Sequence, residues 1–308
     1  MSLRGEPRIR RSNPAFDSCR LIAGLLRSAR NDERENSWYN SFMKKILLVL
    51  TILLMAAGAA FANQIKFIQV TDSHYSSNNA YSKQVLERTV QDINKQSDIS
   101  FVVFTGDNID SANPDYLKEF VDIVNKLKYP YYMVIGNHDV FKNGGLSKER
   151  YIEIIRKNHL FYAPNKPNYV FEKNGFVFLV ADGAKEVIPG PGGYFKEDTL
   201  KWVDAQLKKY KNKPVVIFQH FPLVEPRVVK THRTYEAQKY LDLLKQHNNV
   251  IAVISGHYHV NGETMQDGIY HISTPSLLIN PNYYKIITIV TTRGFSPMIY
   301  TELKEVGK

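Results

Sequence analysis

The 308-residue chain is 44% hydrophobic and 23% charged, the balance of an ordinary globular protein with one large domain or two small ones. Its single cysteine, Cys19, excludes an intramolecular disulfide and cysteine-ligated zinc, so any metal must be held by His, Asp, Asn and their like. The formal charge of +10 does not mark a nucleic-acid binder: residues 1–62 carry 10 Lys/Arg against 5 Asp/Glu, the remainder carry 30 against 25, and the later basic residues are scattered rather than clustered among aromatics. No nucleic-acid partner is expected, whereas mild basicity suits a small anionic substrate.

Taken in chain order, the first recognisable segment is a secretory signal over residues 43–62. Met43-Lys44-Lys45 supplies the basic start, Ile46–Met55 the apolar stretch, and Ala60-Phe61-Ala62 a small-residue cleavage box. Cleavage after Ala62 is expected, which would leave Asn63 first and the mature protein periplasmic or secreted. The alternative is an uncleaved membrane anchor; spanning needs about 20 apolar residues, and the cleavage box argues against it. Contact with a membrane is expected only through this segment, if it stays uncleaved. Residues 1–42 are Arg-rich and aperiodic and stand in front of a signal that would normally begin at the initiator. They are expected to be upstream sequence translated in error, or disordered, with Met43 the true start.

Beyond Ala62 a single domain over 63–308 is expected. Ile65–Thr71 reads as a core strand ending in Asp72-Ser73-His74. Val85, Leu86, Val90 and Ile93 then recur at helical spacing. Ser100–Thr105 is a second strand ending in Gly106-Asp107-Asn108, and Pro114 opens a helix carrying Leu117, Phe120, Val121, Val124 and Leu127. Tyr131–Ile135 is a third strand ending in Gly136-Asn137-His138-Asp139. This alternation implies βαβ units and a largely parallel sheet. Lys142–Gly145 reads as a flexible loop, Lys148–Asn158 as a short helix, and Tyr169–Glu172 with Phe176–Val180 as a hairpin about Asn174-Gly175. The Pro189–Gly193 loop is placed at the border of the substrate entrance. A helix over Glu197–Tyr210 with Leu200, Val203 and Leu207 inward precedes the strand Pro214–Gln219, which ends in His220. A helix over Tyr235–Gln246 leads to the strand Val250–Ser255, ending in Gly256-His257-Tyr258-His259. Ile269–Ser273, Tyr283–Thr291 and Pro297–Thr301 read as antiparallel strands.

Five apolar strands thus end in ligand-type residues: Asp72/His74, Asp107, Asn137/His138, His220 and His257/His259. In a parallel sheet all five sets meet at one edge, where open α/β folds place their ligands. Two carboxylates, an amide and several imidazoles suit Mn, Fe, Zn or similar divalent ions. Eight or so donor atoms exceed what one ion takes; they fit two ions about 3.5–4 Å apart, bridged by a shared carboxylate.

These motifs, in this order over about residues 65–260, resemble the calcineurin-like metallophosphoesterase superfamily, most closely its class III cyclic nucleotide phosphodiesterase branch. The resemblance implies an α/β fold built as a four-layer αββα sandwich of two mixed sheets, and a centre of two divalent metal ions. Carried over position by position, Asp72, His74 and His259 would hold the first ion and Asn137, His220 and His257 the second, with Asp107 bridging. His138 is implied not to ligate but to contact the substrate phosphate or protonate the leaving oxygen, oriented by Asp139. Asn108 is implied to touch a phosphate oxygen. The implied reaction is attack of a metal-bridging hydroxide on phosphorus in a phosphodiester or phosphomonoester. Purple acid phosphatases, related by fold, place a Tyr ligand three residues after the bridging Asp; Asp110 stands there, so no tyrosinate-bound ferric ion is expected.

His159, His232, His247 and His271 fall outside the motifs and read as surface or satisfied imidazoles, with a substrate contact left open for His232 and Arg227. Tyr129, Tyr131 and Tyr132 read as strand packing, and Trp202 as a helix-face residue. Two other functional classes compete with the hydrolase: a catalytically silent binding protein of the cell envelope that kept the fold, and a metal-storage protein. Retention of every ligand and of His138 favours the enzyme. Specificity is assigned to the loops 75–80, 141–168, 183–195 and 221–234.

Overall fold

A computed structural model describes residues 38–49, 62–159, 164–292 and 294–307. The chain divides into two units, Met1–Phe61 and Ala62–Lys308. In the first unit the described residues form a helix over 38–49; residues 1–37 and most of the 43–62 signal segment lie outside the described residues. None of the described helices is long and apolar enough to cross a membrane.

In the second unit, period-two alternation sorts side chains into two layers. In β1 (Ala62–Val70), Ile65 and Phe67 join an apolar cluster made of strand residues, whereas Ile68 and Val70 join one that contains the helices' apolar faces. β2 (Val102–Phe104) repeats this, with Val103 in the first cluster and Val102 and Phe104 in the second. β3 (Tyr131–Met133) runs parallel to β2, and β2 parallel to β1. β10 (Tyr283–Thr292) lies antiparallel on the other side of β1, from Ala62↔Thr292 to Gln69↔Lys285, and β11 (Met298–Glu305) closes that edge. The first sheet is therefore ordered β11-β10-β1-β2-β3.

The second sheet contains β4 (Tyr169–Lys173), β5 (Phe176–Val180), β6 (Val215–Phe218), β7 (Val250–Ser255), β8 (Gly262–Gln266) and β9 (Ile269–Ser273), ordered β4-β5-β6-β7-β9-β8. Phe67, Phe101, Phe178 and Phe218 interlock between the sheets, with centroids of Phe67 and Phe101 4.9 Å apart and of Phe67 and Phe218 5.6 Å apart. Each such ring contributes roughly 1.5–3 kcal/mol by leaving water. Helices α1 (Ala80–Ile93), α2 (Pro114–Val124), α3 (Lys148–Asn158), α4 (Glu197–Lys209) and α5 (Ala237–Lys245) cover the outer faces. The expected apolar stripes of α1 and α2 are buried, and both helices start on asparagine caps: Asn79 accepts from the Ser82 amide, and Asn113 precedes Pro114. Two mixed sheets with helices outside give the expected four-layer α/β sandwich.

Two local expectations need correction, and one strand has no counterpart in the sequence reading. Lys142–Gly144 is a 3₁₀ turn rather than an open loop. β8 was not anticipated, because Gly-Glu-Thr-Met-Gln is polar and faces largely outward. β9, expected in an antiparallel tail, pairs antiparallel with β8 but parallel with β7, which extends the parallel core β5-β6-β7-β9. The hairpin turns where expected, with Asn174 and Gly175 at φ 50° and 83°, the two left-handed positions of a type I′ turn.

Candidate dimetal site

The parallel strands of both sheets end on the same side, and there the backbone bends out of ordinary conformations. Asp72, His74, Asp107, His257 and His259 all have positive φ, between 41° and 72°. For side chains other than glycine this region is costly, of order 1–3 kcal/mol each, and it persists only where neighbours enforce it. Hydrogen bonds beyond the strand ends do so: the amides of Asp72, His74 and Tyr75 donate to the carbonyls of Gly106, Asp107 and Asn108 at 3.0, 3.0 and 3.1 Å, and Gly256 N donates to His220 O at 3.0 Å. Two glycines permit the close approach. A Cβ on Gly136 would lie 2.2 Å from Asp107 Oδ1, and one on Gly256 would lie 1.9 Å from Thr71 Oγ1 and 2.6 Å from Asp72 Oδ2.

The side chains gather into clusters around Asp107, which belongs to the second and lies beside the first. Donor atoms of Asp72, His74 and His259 lie within 4.8 Å of one another, as do those of Asp107, His220 and His257. In the first cluster His259 Nε2 is 3.1 Å from Asp72 Oδ1, and His74 Nε2 is 3.3 Å from His259 Nε2 and 3.9 Å from Asp107 Oδ2. In the second, His220 Nε2 is 3.3 Å from the same Asp107 Oδ2 and 3.2 Å from Asn137 Oδ1, and the His220 and His257 rings are 4.9 Å apart. His74, Asp107 and His138 form a third such group, so His138 stands within reach of the first cluster. The structure thus brings together all seven residues expected to bind metal.

Charge follows burial. Burial pushes the Asp107 carboxyl up, but His220, His138 and His74 outweigh this and hold it far below the usual carboxylate range. Asp72 is lowered as well, its burial outweighed by the His259 hydrogen bond and by His220. Burial would depress His220, yet Asp107 and Asp72 raise it to about 9. His257 goes the other way: burial, reinforced by His220, lowers it to about 3. The residues fit divalent cations on this structure's own terms. His257 Nε2 is buried and makes no hydrogen bond, and two buried carboxylates face imidazoles across a shared centre. His220 Nδ1 donates to Thr105 O at 2.8 Å, so in the neutral ring Nε2 keeps its lone pair toward that centre.

Two expected roles are corrected. Asn108 was expected to touch phosphate, but it is buried, and its Nδ2 donates to Val134 O, Asp139 Oδ2 and Tyr151 Oη at 2.9–3.0 Å. Asp139 was expected to orient His138, but its carboxylate accepts from the amides of Gly136, Asn108 and Ile109 at 2.7, 2.8 and 3.1 Å. It ties the loop after β2 to the loop after β3, and burial followed by Asp107 raises its carboxyl to about 7. His138 is exposed, and the group that orients it is the carbonyl of Asp110, 2.6 Å from its Nδ1. The only sequence signal for Asp110 was its place three residues after Asp107.

Of the histidines set aside, His159 stacks on Tyr131, His247 meets Asp204 at 2.9 Å, and His271 is buried in β9. His232 is different: its ring is 4.9 Å from that of His257. A 3₁₀ turn at Lys230–His232, in a loop without periodicity, brings it there. The Pro189–Gly193 loop ends against the residue after His220, where a Cβ on Gly193 would lie 2.4 Å from Phe221.

A family model described as calcineurin-like phosphoesterase matches residues 65–261. A protein of Arcobacter nitrofigilis named "Probable glycerophosphodiester phosphodiesterase" is 28% identical over 222 residues, covering 68% of this chain and 77% of its own. A Nostoc protein named a 3',5'-cyclic-nucleotide phosphodiesterase is 20% identical over 223 residues, covering 69% and 78%. Among solved structures, a dimetal phosphatase from Danio rerio superposes with a TM-score of 0.57 at 18% identity, over 77% of this chain and 98% of its own, a likeness of fold.

Proposed function

The chain belongs to the calcineurin-like phosphoesterase family and is a metal-dependent phosphoesterase; on that premise we propose that it is an exported dimetal hydrolase that prefers phosphodiesters to phosphomonoesters. The observation that carries the reading is the pair of ligand clusters joined at Asp107. The two relatives named phosphodiesterases support the diester preference. Export rests on the signal pattern of residues 43–62 alone.

Asp72, His74 and His259 would hold one ion, and Asn137, His220 and His257 the other, with Asp107 shared; Mn, Fe or Zn suit this donor set. Ions bound there supply a nucleophile at neutral pH and neutralise charge on the phosphoryl oxygens. The chain's own groups do the rest. Thr71 Oγ1 and the His257 amide donate to Asp72 at 2.7 and 2.9 Å, and the His138 amide donates to Asp107 at 2.9 Å, so both carboxylates are fixed before substrate arrives. His138 binds a phosphoryl oxygen or protonates the leaving group. With Nδ1 held by the Asp110 carbonyl, Nε2 is the ring atom left to meet a phosphoryl or leaving oxygen. Asp139 and Asn108 act as positioning residues that keep the two loops in register.

The test is turnover of a nitrophenyl phosphodiester against the matching monoester, in protein stripped of metal and reloaded with Mn²⁺, with His138→Ala as control. Preference for the diester in the wild type, with turnover that falls about 10²–10⁴-fold in the variant while both ions are retained, supports the proposal. Monoester preference would make the protein a phosphatase, and loss of both ions in the variant would make His138 a ligand.

A further inference from the structure

Three loops border the metal-type residues, and their tips are apolar. Phe141 lies two residues past Asp139; Val187 and Ile188 lie in the loop between β5 and α4; Val228 and Tyr235 lie in the loop after His220. Ile188 is 79% exposed, Val228 77%, Tyr235 62% and Val187 59%. The loops form one rim: Lys142 N donates to Glu186 O at 2.7 Å, Tyr235 N donates to Gly193 O at 2.8 Å, and Lys185 Nζ lies 5.3 Å from the centre of the Tyr235 ring. The contact of His232 with His257 sets that rim beside the clusters.

Each tip has a cation close by in sequence: Phe141-Lys142, Lys185-Glu186-Val187-Ile188, Arg227-Val228-Val229-Lys230 and Arg233-Thr234-Tyr235. Arg233 is paired with Glu225 at 3.0 Å, and Glu186 accepts from Lys148 N. Lys142, Lys185, Arg227 and Lys230 make no ion pair among the described residues. Apolar tips flanked by unpaired cations match the boundary between water and an anionic bilayer, where apolar groups reach the acyl region and cations remain at the phosphates. A second copy of this chain fits less well, since its own rim carries the same positive charge.

We propose that this rim docks on an anionic phospholipid surface, which would set the mouth of the site at headgroup level. Membrane contact would then not be confined to residues 43–62. The inference does not depend on which phosphate ester is hydrolysed.

The test uses the full chain with Cys19→Ser, which removes its only cysteine. Ile188→Cys on that background is labelled with an environment-sensitive fluorophore, and Lys211→Cys, ahead of the amino end of β6 and so away from the site, serves as control. Phosphatidylcholine vesicles containing phosphatidylglycerol should blue-shift and brighten the probe at 188 and leave that at 211 unchanged; phosphatidylcholine alone should do neither. Adding Arg227→Glu with Lys230→Glu should weaken the vesicle titration about tenfold or more. The proposal is overturned by an unresponsive probe at 188 or by equal responses at 188 and 211, which would mean general adhesion. It is also overturned by a shift that grows with protein concentration without vesicles, which would mean that a second copy covers the rim.

Discussion

Replacing Gly136 with alanine isolates the contribution of backbone approach to the shared carboxylate. The added Cβ would lie 2.2 Å from both the amide nitrogen and Oδ1 of Asp107, whereas real Cβ contacts essentially never fall below 3.0 Å. Something must therefore move by about 0.8 Å, the difference between those two distances. Gly136 has no positive φ, so the contact alone carries the effect. Asp107 has little room to yield: its Oδ1 takes the His138 amide at 2.9 Å and its carbonyl takes the His74 amide at 3.0 Å. Overpacking of this kind costs about 1–3 kcal/mol of stability, and a displacement near 1 Å at a catalytic group costs about 10²-fold in rate. The assay is kcat/KM on a nitrophenyl phosphodiester with Mn²⁺, alongside urea unfolding and metal content. A variant that retains two ions and half the wild-type rate would refute the argument that Asp107 occupies a fixed, shared niche.

Two further outcomes separate positioning from substrate contact and burial from titration. Asn108→Ala should destabilise the protein by about 1–3 kcal/mol, because it strips partners from buried Asp139, Tyr151 and Val134, while KM changes little; a large rise in KM without loss of stability would restore the expected phosphate contact. Burial lowers His271 to about 4 from an ordinary 6.5. Above pH 6.5 the group is neutral folded and unfolded and contributes nothing; as pH falls from 6.5 to 4 only the unfolded chain takes the proton, so stability drops, by on the order of 3 kcal/mol in full. His271→Gln should flatten that part of the stability–pH curve, and an unchanged curve would place the titration elsewhere.

The candidate site residues were legible because each follows an apolar run that must be a buried strand. Val-Val-Phe before Gly106-Asp107 and Val-Ile-Ala-Val-Ile before Gly256-His257 could only deliver their polar ends to one edge of a sheet. Which polar residue faces that edge was less legible. Asp139 and Asn108 are 31 residues apart, and their mutual hydrogen bond depends on two loops meeting in space, so both looked like site residues and both turn inward. The orientation of His138 comes from a main-chain carbonyl, which any residue at 110 would supply. Positive φ at Asp72, His74, Asp107, His257 and His259 leaves no mark in the sequence, because none of these is glycine. β8 escaped notice because an exposed edge strand needs no apolar face. The apolar cores were readable by periodicity; the loop that carries His232 to His257 has none.

The central claim is that one carboxylate joins two ion sites. Metal-free protein titrated with Mn²⁺ and followed by calorimetry and electron paramagnetic resonance tests it directly. Two ions per chain are expected, with an exchange-coupled signal as for ions about 3.5–4 Å apart, and Asp107→Asn should abolish the coupling. A single uncoupled Mn²⁺ per chain, or coupling that survives loss of the Asp107 carboxylate, would contradict the account.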